Sequence, residues 1–156
     1  MPTIYVPGPL MAGETGRQAI WIFSILEYVV PDWNLILHGN DDADGTLSRW
    51  IEGIVTRSSA VTLVSSSTPV DSLLNQASMI WLPQIQEGSP QHLIPIISQR
   101  KPVFASSVPT LLHALKHHRA VTFLPPKQPS SWARVIFQAA RSSILFPATT
   151  WERKAG

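Results

Sequence analysis

Two segments of this chain have residue types and spacing suited to holding an anionic, hydroxyl-bearing ligand. The first, Val6-Pro7-Gly8-Pro9-Leu10-Met11-Ala12-Gly13-Glu14-Thr15-Gly16, sets three glycines ahead of a helical pattern. Glycine lets backbone approach a phosphate closely, and free N–H groups at a helix start favour an anion. The spacing is neither G-x-G-x-x-G nor a Walker P-loop, so by itself it reads first as an ordinary strand-to-helix turn. In the second, Trp81-Leu82-Pro83-Gln84-Ile85-Gln86-Glu87-Gly88-Ser89-Pro90, an apolar run ends in a loop with one carboxylate, followed by glycine and a new helix start. Ser89 suits an N-cap and Pro90 the first helical position. N–H groups there can hold a phosphate, and Glu87 can accept hydrogen bonds from hydroxyls. A capped turn with an exposed glutamate is the plainer alternative.

Other clusters point away from chemistry. Asn40-Asp41-Asp42-Ala43-Asp44-Gly45 has calcium-loop features, but Ile51 stands where the bidentate glutamate belongs. It reads as an acidic turn complementing a helix dipole. Lys116-His117-His118-Arg119 closes a helical pattern, where cations meet terminal carbonyls. No carboxylate cluster supports a metal and no Gly-x-Ser-x-Gly elbow occurs. The chain has no cysteine, which excludes disulfides and thiolate metal sites. Neither a metal nor a cofactor is expected.

Short apolar runs rich in Val, Ile and aromatics must position these loops. They predict strands over Thr3–Pro7, Trp33–His38, Ala60–Ser65, Met79–Pro83, Pro102–Ala105 and Ala120–Leu124. Helical patterns lie between and after them, near 15–30, 44–57, 69–77, 89–100, 109–118 and 129–145. In the first, Ile20, Phe23, Ile25, Leu26, Val29 and Val30 form a broad apolar face, stopped by Pro31-Asp32. Alternation of this kind implies an α/β fold, a Rossmann-like doubly wound parallel sheet of about six strands flanked by helices. Ligands of such sheets bind beyond the carboxyl ends of the strands, at a topological switch point.

Composition agrees. The 156 residues fit a single domain, 1–156, and 44% hydrophobic against 14% charged residues describe a packed globule. A net charge of +2 gives no general affinity for nucleic acid or an anionic membrane. The most apolar stretch, Ala19–Val30, contains Glu27 and is too short to span a bilayer. Met1–Leu10 has no basic n-region, so a cytoplasmic location is expected.

Beyond these features, the chain resembles the C-terminal, nucleotide-sugar-binding domain of GT-B retaining glycosyltransferases of the group 1, or family 4, type. Glu87-Gly88-Ser89-Pro90 followed by Pro102-Val103-Phe104-Ala105 is similar to the family's Glu-Gly-Phe-Gly and Gly-x-Pro-Val-x-Ala segments at matching spacing. Leu35-Ile36-Leu37-His38-Gly39 resembles its Leu-x-Ile-Val-Gly strand. Val108-Pro109, Val121-Thr122-Phe123-Leu124-Pro125-Pro126 and Thr150-Trp151-Glu152 resemble its later segments in order.

The resemblance implies a nucleoside-diphosphate sugar held by Gly8, Gly39, Glu87, Gly88 and Ser89, with Glu87 also the catalytic position. It further implies sugar transfer with retention, as in polysaccharide biosynthesis, with an N-terminal GT-B domain or another protein as partner. Departures are equally specific. Pro95 stands where the family has a second glutamate, Pro90 replaces the loop's second glycine, and Pro9 and Thr15 replace an arginine and a lysine. Losing a charged contact costs ~1.5–3 kcal/mol. The isolated chain is therefore expected to bind rather than to catalyse, with a non-catalytic binding or protein-interaction module as the alternative.

Overall fold

A computed structural model describes residues 2–7, 14–30, 32–38, 49, 53–54, 59–65, 67–83, 99, 101–118 and 120–142. Its strands are β1 (Thr3–Val6), β2 (Asn34–His38), β3 (Val61–Val64), β4 (Met79–Leu82), β5 (Val103–Ser106) and β6 (Val121–Leu124). Its helices are α1 (Glu14–Glu27), α2 (Val70–Gln76), α3 (Pro109–Leu115) and α4 (Pro129–Ser142). Each strand forms on the apolar run that predicts it. All pair in parallel, in the order β3-β2-β1-β4-β5-β6.

Strand alternation sorts the side chains onto two faces. On one, Ile4, Val6, Leu35, Leu37, Met79, Trp81 and Phe104 pack with Ala19, Ile22, Phe23 and Leu26 of α1 and Trp132, Ala133 and Ile136 of α4. On the other, Tyr5, Ile36, Ile80, Leu82, Val103 and Ala105 pack with Leu73 and Leu74 of α2 and Leu111 and Leu115 of α3. Helices thus cover both faces, as the doubly wound expectation requires.

Helix ends depart from the sequence reading for local reasons. α1 stops at Glu27, a turn before Pro31, and the N–H groups of Val29 and Val30 both reach the Leu26 carbonyl at 2.9 and 2.8 Å. A residue ahead of proline is driven out of the helical region, so the chain leaves the helix early. Val29, expected in the apolar face, is consequently 52% exposed. α3 closes at Leu115 rather than near 118, with the His118 N–H bonded to the Leu115 carbonyl at 3.0 Å. Of the helix expected over 44–57, the described residues Arg49, Gly53 and Ile54 are helical. The helix expected over 89–100 lies outside the described residues except for Gln99, which sits in a bend.

Two contacts anchor the sheet's borders. Trp132, fully buried at the start of α4, donates from Nε1 to the Pro125 carbonyl at 2.8 Å, tying the helix to the β6 exit. That exit turns through Lys127 at φ 60°, a left-handed conformation glycine adopts more easily. At the opposite, amino edge, Lys101 donates from Nζ to the Leu74 carbonyl near the end of α2. Burial lowers its pKa.

Candidate functional site

β1 lies inside the sheet, and the chain winds outward from it in two directions. β2 and β3 extend to one side; the next strand, β4, pairs with the other side of β1 through Ile4↔Met79 and Tyr5↔Ile80. This reversal is the switch point, and at its carboxyl edge the segments leaving β1 and β4 begin side by side. Pro7 and Pro83, the buried residues that end these two runs, mark that edge.

All five residues singled out from the sequence, Gly8, Gly39, Glu87, Gly88 and Ser89, fall outside the described residues. What the fold provides is the order of their attachment points. Gly8 follows Pro7 at the end of β1, Gly39 follows His38 at the end of β2, and the Glu87 segment follows Pro83 at the end of β4. These three strands are adjacent, β2-β1-β4. The acidic turn at 40–45, Pro95, Arg119 and the closing Thr150-Trp151-Glu152 also lie outside the described residues.

A feature that the sequence reading passed over sits at this edge. Tyr5 and His38 share one sheet face, because Tyr5 pairs with Ile36 and His38 follows two positions on. The Tyr5 hydroxyl and His38 Nδ1 are 2.6 Å apart, and the rings meet edge-on with centroids 5.7 Å apart. Tyr5 is 1% and His38 5% exposed. Burial pushes the Tyr5 phenol up to about 12, so it stays protonated across the physiological range. His38 Nε2 is buried and has no hydrogen-bond partner among the described residues.

Counting unmet groups assigns the protons. If the Tyr5 O–H donates to Nδ1, neutral His38 carries its hydrogen on Nε2, and a single group is left unmet. With the opposite tautomer, both the Tyr5 hydrogen and the Nε2 lone pair lack partners. An unmet buried group costs ~1–3 kcal/mol, so the first arrangement wins. His38 therefore holds an N–H donor at the carboxyl end of β2. The sequence signal was a histidine closing an otherwise apolar strand, one residue ahead of Gly39.

Gln18, in the second turn of α1, is a second case. It is 7% exposed, and its Nε2 is buried without a partner among the described residues. The chain enters α1 from the carboxyl end of β1, so this turn lies towards the same edge. Nearby at the end of β3, Ser65 and Ser67 hydroxyls are 2.9 Å apart and exposed. Among the described residues, no group of three His, Asp or Glu side chains is placed to hold a metal ion. No described helix is long and apolar enough to cross a membrane.

No protein-family model matches the chain, and no curated protein is similar in sequence. Solved structures are similar in fold. The C-terminal domain of a glycosyl transferase group 1 family protein, LpcC, from Francisella tularensis superimposes with a TM-score of 0.77 at 14% identity. That match covers 92% of this chain and 77% of that one. WaaG, a glycosyltransferase involved in lipopolysaccharide biosynthesis, matches at TM-score 0.76 and 18% identity, over 93% of this chain and 39% of WaaG. Anabaena HepE, solved in complex with UDP, matches at 0.74 and 14%, over 91% and 40%. The chain thus has the fold of a GT-B C-terminal domain and spans about two fifths of the longer relatives in structure.

Proposed function

We propose that the chain is the donor-binding half of a GT-B glycosyltransferase and holds a nucleoside-diphosphate sugar beyond the carboxyl ends of β2, β1 and β4. The observation that carries this reading is the switch point, where these adjacent strands feed the segments bearing Gly39, Gly8 and Glu87-Gly88-Ser89. Binding of UDP by HepE, a neighbour in fold, supports the ligand class. The unmet Nε2 donors of His38 and Gln18, towards the same edge, suit a ligand rich in acceptor oxygens.

In this reading Glu87 accepts hydrogen bonds from sugar or ribose hydroxyls, while backbone N–H groups around Gly8 and Ser89 face the diphosphate. Transfer, with retention, requires a second domain to bring the acceptor, and the chain alone binds without turnover. Pro9, Thr15 and Pro95 supply no charged contacts, so affinity is modest. The protein works in the cytoplasm, where sugar nucleotides are made.

A thermal-shift panel of nucleoside diphosphates, their sugar conjugates and plain nucleosides tests the proposal. A ligand at one hundred times its Kd adds ~2.7 kcal/mol to the native state. A diphosphate conjugate is expected to raise Tm in a saturable way, and Glu87→Gln to weaken it by ~1–2 kcal/mol. Flat melting curves across the panel at millimolar ligand would sink the reading and leave the interaction-module alternative.

A further inference from the structure

The outer surface of the α1–α4 layer carries a pattern that donor binding does not use. Trp21 on α1 is 62% exposed, and Tyr28 and Val29, the two residues just beyond the helix, are 90% and 52% exposed. Trp21 and Tyr28 are seven residues apart, so they line one helical stripe, which also holds exposed Arg17 and Ser24. Solvent gives large rings no reason to stand out in this way. α4 packs directly beside α1. Its own outer stripe is Ser130, Arg134, Gln138 and Arg141, all exposed. The α4 sequence contains no acidic residue, and among the described residues no carboxylate pairs with Arg134 or Arg141. The Arg141 guanidinium instead lies 5.6 Å from the centre of the Phe137 ring.

We infer that this two-helix surface docks on an anionic lipid bilayer. Trp and Tyr seat their rings at the headgroup level, with an apolar body and a polar tip. Arginines beside them meet lipid phosphates and draw the surface to a negatively charged leaflet. The overall charge of +2 hides this, because the signal lies in where the charges sit. Charge also argues against a second copy of the chain as the occupant. A two-fold interface centred on the outer stripe of α4 would set Arg134 and Arg141 of one copy near those of the other. The contact lies on the surface and involves no spanning segment, consistent with the described helices.

Co-sedimentation of the full chain with vesicles tests the inference. Vesicles of phosphatidylcholine with about 30% phosphatidylglycerol are expected to bind it, pure phosphatidylcholine much less, and binding should fall between roughly 0.1 and 0.5 M salt as screening shortens. Arg134→Gln and Arg141→Gln should each lower the partition coefficient about five-fold. Trp21→Ser with Tyr28→Ser should lower it at least as far, with unchanged far-UV circular dichroism because both sites are exposed. Brominated lipid should quench tryptophan fluorescence in the parent chain and less in Trp21→Phe. The inference is overturned if anionic vesicles leave the chain in the supernatant, or if the four substitutions leave binding unchanged. It is equally overturned if the chain ignores vesicles but self-associates through a contact that Trp21→Ser abolishes, which would make the face a protein interface.

Discussion

Replacing Tyr5 with phenylalanine removes one oxygen from the sheet interior, and the cost can be worked from its surroundings. The hydroxyl lies 2.6 Å from His38 Nδ1 with both residues at least 95% buried. Without it, Nδ1 joins Nε2 as an unmet buried group, which costs ~1–3 kcal/mol. For a chain of this size each kcal/mol moves Tm by about 2–4 °C. The reverse change, His38→Leu, strands the Tyr5 O–H but removes the unmet Nε2–H, so its net cost should be smaller, roughly 0–1.5 kcal/mol. Making both changes leaves an apolar pair with nothing unmet. The double variant should therefore be more stable than the sum of the singles predicts, with a coupling of at least ~1 kcal/mol. Urea unfolding followed by circular dichroism, extrapolated linearly to water, measures all four corners of the cycle. Additivity within ~0.5 kcal/mol would mean that the hydroxyl and the imidazole do not hold each other, and the tautomer argument would fall with it.

The same phenol gives a signed pH dependence. Its folded pKa is raised from 10 to about 12, so its contribution is complete below pH ~10 and is lost as pH rises towards ~12, up to ~3 kcal/mol in all. Unfolding free energies from pH 9 to 12 should fall more steeply in the parent chain than in Tyr5→Phe. Lys101 is shifted the other way and cancels in that comparison. Lys127→Gly should stabilise the β6–α4 turn by up to ~1 kcal/mol, because φ 60° strains a side-chain-bearing residue; a lower denaturation midpoint would contradict this. Trp132→Phe should cost about 1–3 kcal/mol, by leaving the Pro125 carbonyl unmet and the ring site underfilled. Purified chain incubated with a donor and diverse acceptors should show no acceptor-dependent release of nucleoside diphosphate, and sustained release would refute the reading of a half-enzyme.

Strand positions were readable because each buried parallel strand is a short apolar run, and Met79-Ile80-Trp81-Leu82 is buried along its whole length. Helix ends were harder. The pattern in Ile25, Leu26, Val29 and Val30 continues smoothly, while the backbone obeys Pro31 and lets go at Glu27. Strand order does not follow from periodicity, which says nothing about which side of β1 receives β4; only the pairing shows it. The Tyr5–His38 pair was hidden for a related reason. Two residues in different strands become partners only through register, and a lone histidine in an apolar strand carries no mark of its neighbour. The glycines and Glu87 drew notice through local chemistry, which is visible in sequence, although their geometry lies outside the described residues.

The seam between β1 and β4 has a kinetic consequence. Every other pairing in the sheet joins strands that are consecutive in the chain, whereas Thr3 and Ser78, bonded at the amino end of the seam, are 75 residues apart. Loop closure over that span is entropically the costliest step of assembly, so two three-stranded halves can gather before they meet. The shared carboxyl edge of β1 and β4, marked by Pro7 and Pro83, exists only after that meeting. Amide protons of β1 and β4 should then exchange only through global opening, and a molecule lodged there would slow their exchange along with that of the whole sheet. Binding at that edge and completion of folding would then be coupled, measurable in either half of the sheet.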